Sequence, residues 1–504
     1  MLNPILSNDT ICALATPHGL GAISLIRVSG PKAIEIVNSL FQHKGKTLET
    51  SKIVSHKAYY GHLINNSELL DEVLVTFFKA PHSFTGEDSA EISAHGSVYL
   101  QQKLLQVLID HGCRMAEAGE FTRRAFVNRK FDLAQAEAIA DLISAENEAT
   151  HRIAINQLKG GFSKELQVMR SKLLEITSLM ELELDFSEED VEFADRCKLK
   201  ALLDETLAQI NQLTDSFRLG NAIKNGIPVA IVGPTNAGKS TLLNSLLGED
   251  RAIVSDIAGT TRDTIEETLN IDGTLFRFID TAGIRETEET IEKIGIERTF
   301  RKISEADIVL GVIDGTLPFP EIRDAAKIIV DHVNMLKQKL LLLINKKDAM
   351  EGSATFFMND MLLYGLKDCY EKNVNTHGGY MIDEYQYSIT GQDLYHLRNL
   401  MKYDYITAKN TDSVEELKKT ILRLSSTKTV ESDAVLVTNV RHYEALTHAR
   451  EALIRVKEGL EINTPIDLVS QDLRQALYHL GSITGEITTD EVLGSIFSRF
   501  CIGK

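Results

Sequence analysis

Short apolar runs alternate with amphipathic stretches between residues 227 and 424 of this 504-residue chain. Apolar runs predict strands at 227–232, 275–280, 307–314 and 339–345. Helical periodicity predicts helices at 239–247, 291–303, 321–333 and 413–424. This alternation predicts a mostly parallel sheet with helices on both faces. Because such sheets bind ligands at the carboxyl ends of their strands, the chemistry of this region is expected there.

Helical patterns flank this α/β region on both sides. Residues 133–143 are rich in alanine, and residues 166–184 carry apolar side chains at helical spacing. Apolar positions also recur mostly every three or four residues between Val440 and Leu460. One economical arrangement is a single helical domain built from both flanks, with the α/β domain inserted into it. The pattern does not by itself prove that pairing.

The N-terminal part of the chain has a third pattern, with strands predicted at 10–14, 22–28 and 72–78 and a helix at 99–111. Together the patterns predict a multidomain protein. Its parts are an α+β N-terminal domain at 1–122, an all-α helical domain at 123–220 and 429–504, and an inserted α/β domain at 221–428.

The first strand of the α/β region runs into Gly233-Pro-Thr-Asn-Ala-Gly-Lys-Ser240, a phosphate-binding loop of the form G-x-x-x-x-G-K-[ST]. Its glycines allow backbone N–H groups to close around phosphates. Lys239 is expected to reach the β- and γ-phosphates, and the Ser240 hydroxyl is expected to bind Mg²⁺. This loop indicates a P-loop nucleotide-binding domain.

Three further strings follow in a fixed order: Thr260-Thr-Arg-Asp263, Asp280-Thr-Ala-Gly283 and Asn345-Lys-Lys-Asp348. Thr261 offers a second hydroxyl ligand for Mg²⁺, and Asp280 is expected beside the metal. The Asp348 carboxylate can accept from the N1–H and the exocyclic amine of guanine, a pair of donors that adenine lacks. Each string alone is commonplace, but the ordered set indicates a GTP-binding domain.

Nearly sixty residues separate Asp348 from the expected last guanine-binding string, Thr407-Ala408-Lys409. A structureless loop of that length is unusual, and the tyrosine-rich segment 351–402 has its own composition. A second candidate for the last string is Ser388-Ile-Thr-Gly391. The string at 407–409 is preferred because a short strand-like run precedes it and an amphipathic helix follows it.

Composition limits the partners and the compartment. The formal net charge of −18 excludes nucleic-acid binding by the whole surface. The segment with Arg123-Arg124 and Arg129-Lys130 is either a solvated helix start or a local RNA patch. Five scattered cysteines without a Cys-x-x-Cys pair favour a reducing cytoplasm over a disulfide framework or a zinc site. No apolar run reaches the roughly 18 residues of a membrane span, and no signal peptide is evident.

The chain resembles the MnmE (TrmE) family of tRNA modification GTPases over nearly its full length. The motifs that carry the resemblance are Ala15-Thr-Pro-His-Gly19, Arg27-Val-Ser-Gly30, Ser83-Phe-Thr-Gly-Glu-Asp88, Gly119-Glu-Phe-Thr122, the string at 128–138, Ile257-Ala-Gly-Thr-Thr-Arg-Asp263 and Phe500-Cys-Ile-Gly-Lys504. Phosphate loops occur in many families, but the Ser-Phe-Thr-Gly-Glu-Asp and terminal Cys-Ile-Gly-Lys strings are far more specific.

The resemblance implies that the chain takes part in installing a carboxymethylaminomethyl group at carbon 5 of the wobble uridine of certain tRNAs. It implies a homodimer formed through the N-terminal domain and a heterotetramer with the FAD-dependent partner MnmG (GidA). It also implies that the one-carbon donor is a folate of the 5-formyltetrahydrofolate type. tRNA is expected to bind mainly through the partner. Neither the tRNA set nor the nitrogen donor, ammonia or glycine, follows from the sequence.

By the same resemblance, the folate contacts are Arg27, Glu87, Lys130 and Lys504, and Cys501 is a candidate reactive thiol. Arginine and lysine suit the glutamate carboxylates of a folate, and Glu87 can accept from pterin N–H groups. The alternative for Arg27 and Glu87 is a surface ion pair. The alternative for Cys501 is a small buried apolar residue.

Catalysis departs from the Ras-like pattern because Ile284 follows Gly283 where glutamine is usual. By resemblance, Glu292 positions the attacking water, and its alternative role is an exposed helix carboxylate. Also by resemblance, a K⁺ ion bound by Asn236, Ser255, Ile257 and Thr260 stands where an arginine finger stabilises the transition state in other GTPases.

The complete predicted GTP-binding set combines these strings. Its members are Asn236, Ala237, Gly238, Lys239, Ser240, Thr241, Ser255, Asp256, Ile257, Ala258, Gly259, Thr260, Thr261, Asp280, Thr281, Ala282, Gly283, Asn345, Lys346, Asp348, Thr407, Ala408 and Lys409. Two other functions remain open from the residues: a ribosome-assembly GTPase, and a scaffold whose conformation GTP switches without chemistry of its own.

Overall fold

The computed structural model describes residues 9–185, 196–248, 267–279, 303–334, 337–350, 401–425, 435–462, 464–498, 500 and 503. The chain forms two compact units. The first contains residues 1–145, 151–214 and 440–504, and the second contains residues 146–150 and 215–439.

The strands of the described residues are β1 (Thr10–Leu14), β2 (Ile23–Ser29), β3 (Phe41–Gln42), β4 (Lys57–Asn65), β5 (Glu68–Phe78), β6 (Ser89–His95), β7 (Cys113–Met115), β8 (Ile227–Val232), β9 (Glu267–Ile271), β10 (Thr274–Phe278), β11 (Ile308–Asp314), β12 (Lys339–Asn345) and β13 (Met401–Tyr405). The helices are α1 (Ala33–Leu40), α2 (Val98–Asp110), α3 (Glu120–Val127), α4 (Leu133–Ile143), α5 (Glu148–Leu158), α6 (Gly161–Asp185), α7 (Arg196–Asn225), α8 (Lys239–Leu247), α9 (Phe319–Asp331), α10 (Thr411–Leu424), α11 (Val440–Glu461), α12 (Ile466–Thr484) and α13 (Asp490–Phe497).

The first unit begins with a seven-stranded sheet in the order β3-β4-β5-β6-β2-β1-β7. Its pairs are antiparallel except for β1 with β7. Alternate residues such as Ile26, Val28, Val75 and Ile92 are buried on one face, together with apolar residues of α1 and α2. The opposite face carries Arg27, so the alternation of the strands sets which side chains remain available for binding.

The same unit contains helices from both flanks of the α/β region. Helix α12 packs against α11, α6 and α4. Glu137 of α4 is buried and accepts from Arg441 Nε at 3.0 Å and from Arg441 Nη2 at 2.8 Å. His442 Nε2 lies 2.6 Å from the same carboxylate. A buried charge cluster therefore joins the early flank of the chain to the late one.

The second unit is built on a six-stranded sheet in the order β13-β12-β11-β8-β10-β9. All neighbours are parallel except β10 and β9. Helices α8 and α10 cover one face, and α9 covers the other. The carboxyl ends of β8, β11, β12 and β13 therefore lie at one edge of the sheet.

The predicted fold class is confirmed: an α+β N-terminal part, an all-α helical part and an α/β P-loop part are all present. The strands predicted at 227–232 and 339–345 have the predicted bounds, while the strand predicted at 275–280 is β10 at Thr274–Phe278. The helix predicted at 291–303 lies, apart from its last residue, outside the described residues. The boundaries at 122, 220 and 428 stay predictions. Within the part of the chain that is described, no helix combines the length and apolarity needed to span a bilayer.

Candidate functional site

The phosphate loop connects β8 to α8. Gly233 has φ 149°, Asn236 has φ 61° and Gly238 has φ 93°, all of them positive values that non-glycine residues rarely adopt. A Cβ atom at Gly233 would clash with the carbonyl oxygen of Val312, and one at Gly238 would clash with the amide of Asn345. The loop therefore lies against the ends of β11 and β12, and only glycine fits at these two positions.

Lys239 and Ser240 are the first two residues of α8. The Lys239 ammonium donates to the carbonyl oxygens of Gly233 at 2.9 Å and Pro234 at 2.6 Å, so it lies over the loop. Ser240 is exposed beside it. A helix N-terminus with a lysine above a glycine-rich loop provides the N–H groups and positive charge that a polyphosphate needs. The loop residues present therefore fit a nucleotide phosphate, and the Ser240 hydroxyl has the chemistry of a Mg²⁺ ligand.

Asn345 connects the phosphate loop to the last predicted string. Its Nδ2 donates to the Ala237 carbonyl oxygen at 2.9 Å, and its Oδ1 accepts from the Ala408 backbone N–H at 3.0 Å. Asn345 itself is only 3% exposed. One buried amide thus fixes the phosphate end of the site relative to Thr407-Ala408-Lys409. This contact favours residues 407–409 as the last guanine-binding string, whereas Ser388–Gly391 lies outside the described residues.

The string that is expected to recognise guanine follows β12 directly. Lys346 has φ 63°, and its ammonium lies 2.5 Å from Asp314 Oδ2 at the end of β11. Partial burial acts to raise the pKa of Asp314, but hydrogen bonds from Lys346 and Thr316 outweigh it and lower that pKa. Asp348, two residues further along, is exposed, as a carboxylate that recognises a base must be.

Several predicted residues of the GTP site lie outside the described residues. They are Ser255, Asp256, Ile257, Ala258, Gly259, Thr260, Thr261, Asp280, Thr281, Ala282, Gly283 and Glu292. Asn236 is the described member of the predicted K⁺ set, and it is exposed. The second Mg²⁺ ligand, the K⁺ site and the water-positioning residue stay predictions.

In the N-terminal domain, Arg27 lies on the sheet face opposite α1 and α2, and its side chain is mostly buried. Its Nε and Nη2 lie 3.0 and 2.9 Å from Glu91 Oε1. The guanidinium also stacks 5.0 Å from the centroid of the Phe84 ring. Arg27 is therefore ion-paired with Glu91 and not with Glu87, and its role as a folate contact stays a prediction.

Glu87 follows Gly86 in its loop, and the Lys130 side chain packs beside Gly86. Glu87 Oε2 accepts from the Ser29 hydroxyl at 2.9 Å and from Arg124 Nη1 at 3.2 Å. The Lys130 ammonium donates to the Pro81 carbonyl oxygen at 3.0 Å and is exposed. The same loop contains Phe84, whose ring contacts the Arg27 guanidinium. A folate has a ring with N–H donors and a tail with carboxylates. The partly exposed Glu87 carboxylate suits the ring donors, and the cations Arg27 and Lys130 suit the tail.

Sequence reasoning missed Arg124. The sequence predicts either a solvated helix start or an RNA patch for the segment around it, but the Arg124 side chain is only 2% exposed. It bonds to Asp9, Glu87 and Glu120, and Glu120 is equally buried. Both interpretations are therefore wrong for Arg124. The i, i+4 spacing of Glu120 and Arg124 was the available signal, because it places opposite charges on one helix face.

The end of α13 and the residues after it pack against α4 and the N-terminal domain. Phe497 and Phe500 are buried with Leu133 of α4. A Cβ atom at Gly119 would lie 2.6 Å from the Phe497 carbonyl oxygen, and one at Gly503 would clash with the carbonyl oxygen of Leu14. Cys501 and Lys504 lie outside the described residues, so their roles stay predictions.

Comparisons with known proteins cover almost the whole chain. A family model for the GTP-binding protein TrmE N-terminus matches residues 10–130, and one for the MnmE helical domain matches residues 133–501. The tRNA modification GTPase MnmE of Bacteroides thetaiotaomicron is 50% identical over 501 residues, with 99% of this chain and 100% of that protein covered. The protein of the same name from Flavobacterium johnsoniae is 48% identical over 506 residues, with the same coverage.

Solved structures match a smaller part of the chain. The G-domain of FeoB from Methanococcus jannaschii is 20% identical and covers 39% of this chain and 96% of that chain, with a TM-score of 0.23. A TM-score of this size supports no further statement about the chain.

Proposed function

The chain belongs to the MnmE (TrmE) family of tRNA modification GTPases, and we propose that it binds GTP between the Gly233–Ser240 loop and the Asp348 string. It is a GTP hydrolase of tRNA modification. The observation that supports this site best is the Asn345 amide, which bonds to Ala237 and Ala408 at once. Phosphate binding and guanine recognition are thereby coupled through one rigid group.

Each residue of the site has a separate role in the hydrolysis of GTP to GDP and phosphate. Lys239 and the N–H groups of the loop bind the phosphates and stabilise charge that develops on them. Ser240 and Thr261 would hold Mg²⁺, which supplies further positive charge to the phosphate oxygens. Glu292 would orient the attacking water, because Ile284 cannot do so. Asp348 selects guanine.

We propose that hydrolysis drives the installation of a carboxymethylaminomethyl group at carbon 5 of a wobble uridine, together with the FAD-dependent partner MnmG (GidA). Arg27, Glu87, Lys130 and Lys504 would bind a folate of the 5-formyltetrahydrofolate type, which supplies the one-carbon unit. Cys501 is the thiol proposed to act near the uridine. The scattered cysteines suit a reducing cytoplasm as the site of this reaction.

A homodimer through the N-terminal sheet is supported by the apolar side chains on its open face. Ile23 is 64% exposed, Tyr60 56% and Leu74 47%. Tyr60 and Leu74 are direct cross-strand neighbours. Exposed apolar residues that share one face of a sheet are typical of protein interfaces.

The proposed function is tested by reconstitution. Purified chain, MnmG with its FAD, unmodified tRNA, GTP, Mg²⁺, K⁺, 5-formyltetrahydrofolate and a nitrogen donor, glycine or ammonium in parallel mixtures, are incubated. The wobble nucleoside is then measured by mass spectrometry. The modified nucleoside is expected in the complete mixture and in none of the mixtures that lack one component. Formation without GTP would contradict a role for hydrolysis, and formation without the folate would contradict its role as carbon donor.

We expect GTP turnover to rise roughly tenfold or more in KCl over NaCl at equal ionic strength, because a cation near Asn236 would stabilise transition-state charge. Asn236→Gly is the matched variant, since glycine accepts φ 61° while the ligating oxygen is lost. Phosphate release from this variant is expected to be the same in both salts. Equal turnover of the unchanged chain in the two salts would refute the K⁺ site.

A further inference from the structure

The buried guanidinium of Arg124 contacts Glu87, whose carboxylate is proposed to bind the folate. Arg124 of α3 is 2% exposed, and its Nη1 lies 3.3 and 3.2 Å from the two oxygens of Glu87. Its Nη2 donates to Asp9 Oδ1 at 2.7 Å and to Glu120 Oε1 at 3.0 Å. Arg124 thus connects Glu87 to two other carboxylates at the start of β1 and of α3.

Buried hydroxyl groups hold Glu87 from another direction. The Ser29 hydroxyl donates to Glu87 Oε2 at 2.9 Å and lies 2.7 Å from the Thr85 hydroxyl. Ser89 donates to Ser29 at 3.2 Å, and all three hydroxyl residues are buried. The Glu87 side chain itself remains 20% exposed. Its carboxylate is therefore fixed from inside the protein and open to a ligand from outside.

We propose that Arg124 is a positioning residue that fixes the Glu87 carboxylate for its folate contact. The inference rests on the proposed folate site. A planar guanidinium holds a carboxylate in a defined orientation, whereas a lysine ammonium is a point charge that does not. A side chain that is already held in its binding orientation loses less conformational entropy when the ligand binds. Arg124 touches no ligand in this scheme and acts through Glu87.

Arg114 provides a matched comparison. Its Nε lies 2.7 Å from Asp9 Oδ2, and its Nη2 lies 2.7 Å from Glu120 Oε1. Among the contacts found in the described residues, Arg114 shares Asp9 and Glu120 with Arg124 but has none with Glu87. A change at Arg114 therefore disturbs the same ion-pair network while leaving the support of Glu87 in place.

The test measures binding of 5-formyltetrahydrofolate to the full chain by calorimetry. Arg124→Lys is expected to weaken binding roughly ten- to a hundredfold, the range for losing a hydrogen bond to a charged group. Arg114→Lys is expected to change it by less than about threefold, since Glu87 keeps both supports. GTP hydrolysis and the unfolding temperature are measured on both variants to verify that they fold.

A double-mutant comparison separates positioning from general structural damage. Glu87→Gln alone weakens binding, and adding Arg124→Lys to it is expected to weaken binding by less than about a further twofold. An undiminished additional loss, or equal losses from Arg124→Lys and Arg114→Lys, overturns the inference while the folate site stands. Absence of folate binding by the unchanged chain overturns the folate proposal and this inference with it.

Discussion

Replacing Glu137 by glutamine is expected to lower the free energy of unfolding of the first unit by about 3–5 kcal/mol at neutral pH. The change keeps the shape of the side chain but removes the charge that Arg441 and His442 share. Arg441 also donates to the carbonyl oxygens of Ser482 and Ile483 at the end of α12. Without the carboxylate, the partly buried Arg441 guanidinium has no counter-charge. This desolvated, unpaired charge is what lowers the free energy of unfolding.

The same variant is expected to remove a component of the pH dependence of stability. Burial acts to raise the pKa of Glu137, but the charges and hydrogen bonds of His442 and Arg441 lower it from 4.5 to about 2. Because the folded-state pKa is depressed, this stabilisation is complete above pH 4.5 and is lost as the pH falls towards 2. The difference between the unchanged chain and the variant should therefore shrink between pH 7 and pH 3.

Urea unfolding followed by helical circular dichroism at both pH values measures these differences. Glu444→Gln is the control, because Glu444 lies on the same helix α11 and is exposed. It is expected to change stability by less than about 0.5 kcal/mol at either pH. A Glu137 variant that behaves like the Glu444 variant would show that the buried cluster contributes little. A loss of equal size at both pH values would contradict the assigned pKa.

The elements that bind the nucleotide could be predicted because their signals are local. β8, α8 and β12 have the bounds predicted from apolar runs and periodicity. The glycines of the phosphate loop are recognisable in the sequence because the loop needs positive φ values at Gly233 and Gly238. Local sequence was sufficient here because turn geometry and strand patterning each depend on a few consecutive residues.

The parts that sequence could not predict depend on contacts between distant residues. Asn345 bonds to Ala237 and Ala408, which are 108 and 63 positions away. Arg124 bonds to Asp9 across 115 positions, and Glu137 bonds to Arg441 across 304. No periodicity encodes such partners, so the sequence predicts a surface position for Arg124. The structure shows instead that Arg124 is buried, and a guanidinium is stable inside a protein only when acceptors surround it.

The same limitation affects the segment that follows α13. The apolar residues Phe497 and Phe500 and the glycine at 503 predict an anchored segment with a close bend. Their partners are distant, and only the structure shows that Phe497 and Phe500 pack with Leu133 and that Gly503 touches the end of β1. Gly503 has φ 98°, a value that suits glycine alone. These contacts tie the residues around Cys501 to the N-terminal domain that contains Arg27 and Glu87.

Deletion of residues 501–504 is therefore expected to abolish tRNA modification while GTP hydrolysis stays within about twofold of normal. The deletion removes the proposed thiol of Cys501 and the proposed folate contact of Lys504. The phosphate loop and the Asp348 string belong to the second unit, and all of their residues remain. Wobble-nucleoside mass spectrometry and phosphate release, performed on the same preparation with MnmG, measure the two activities.

Two single substitutions sharpen this result. Gly503→Ala keeps every proposed functional group but adds a Cβ that clashes with the Leu14 carbonyl oxygen, so modification is expected to fall with GTP hydrolysis unchanged. Cys501→Ser removes only the sulfur and tests the thiol by itself. If the shortened chain modifies tRNA at the normal rate, residues 501–504 take no part in the reaction. If GTP hydrolysis falls in parallel with modification, the loss comes from damage to the whole chain and not from a missing part of the modification site.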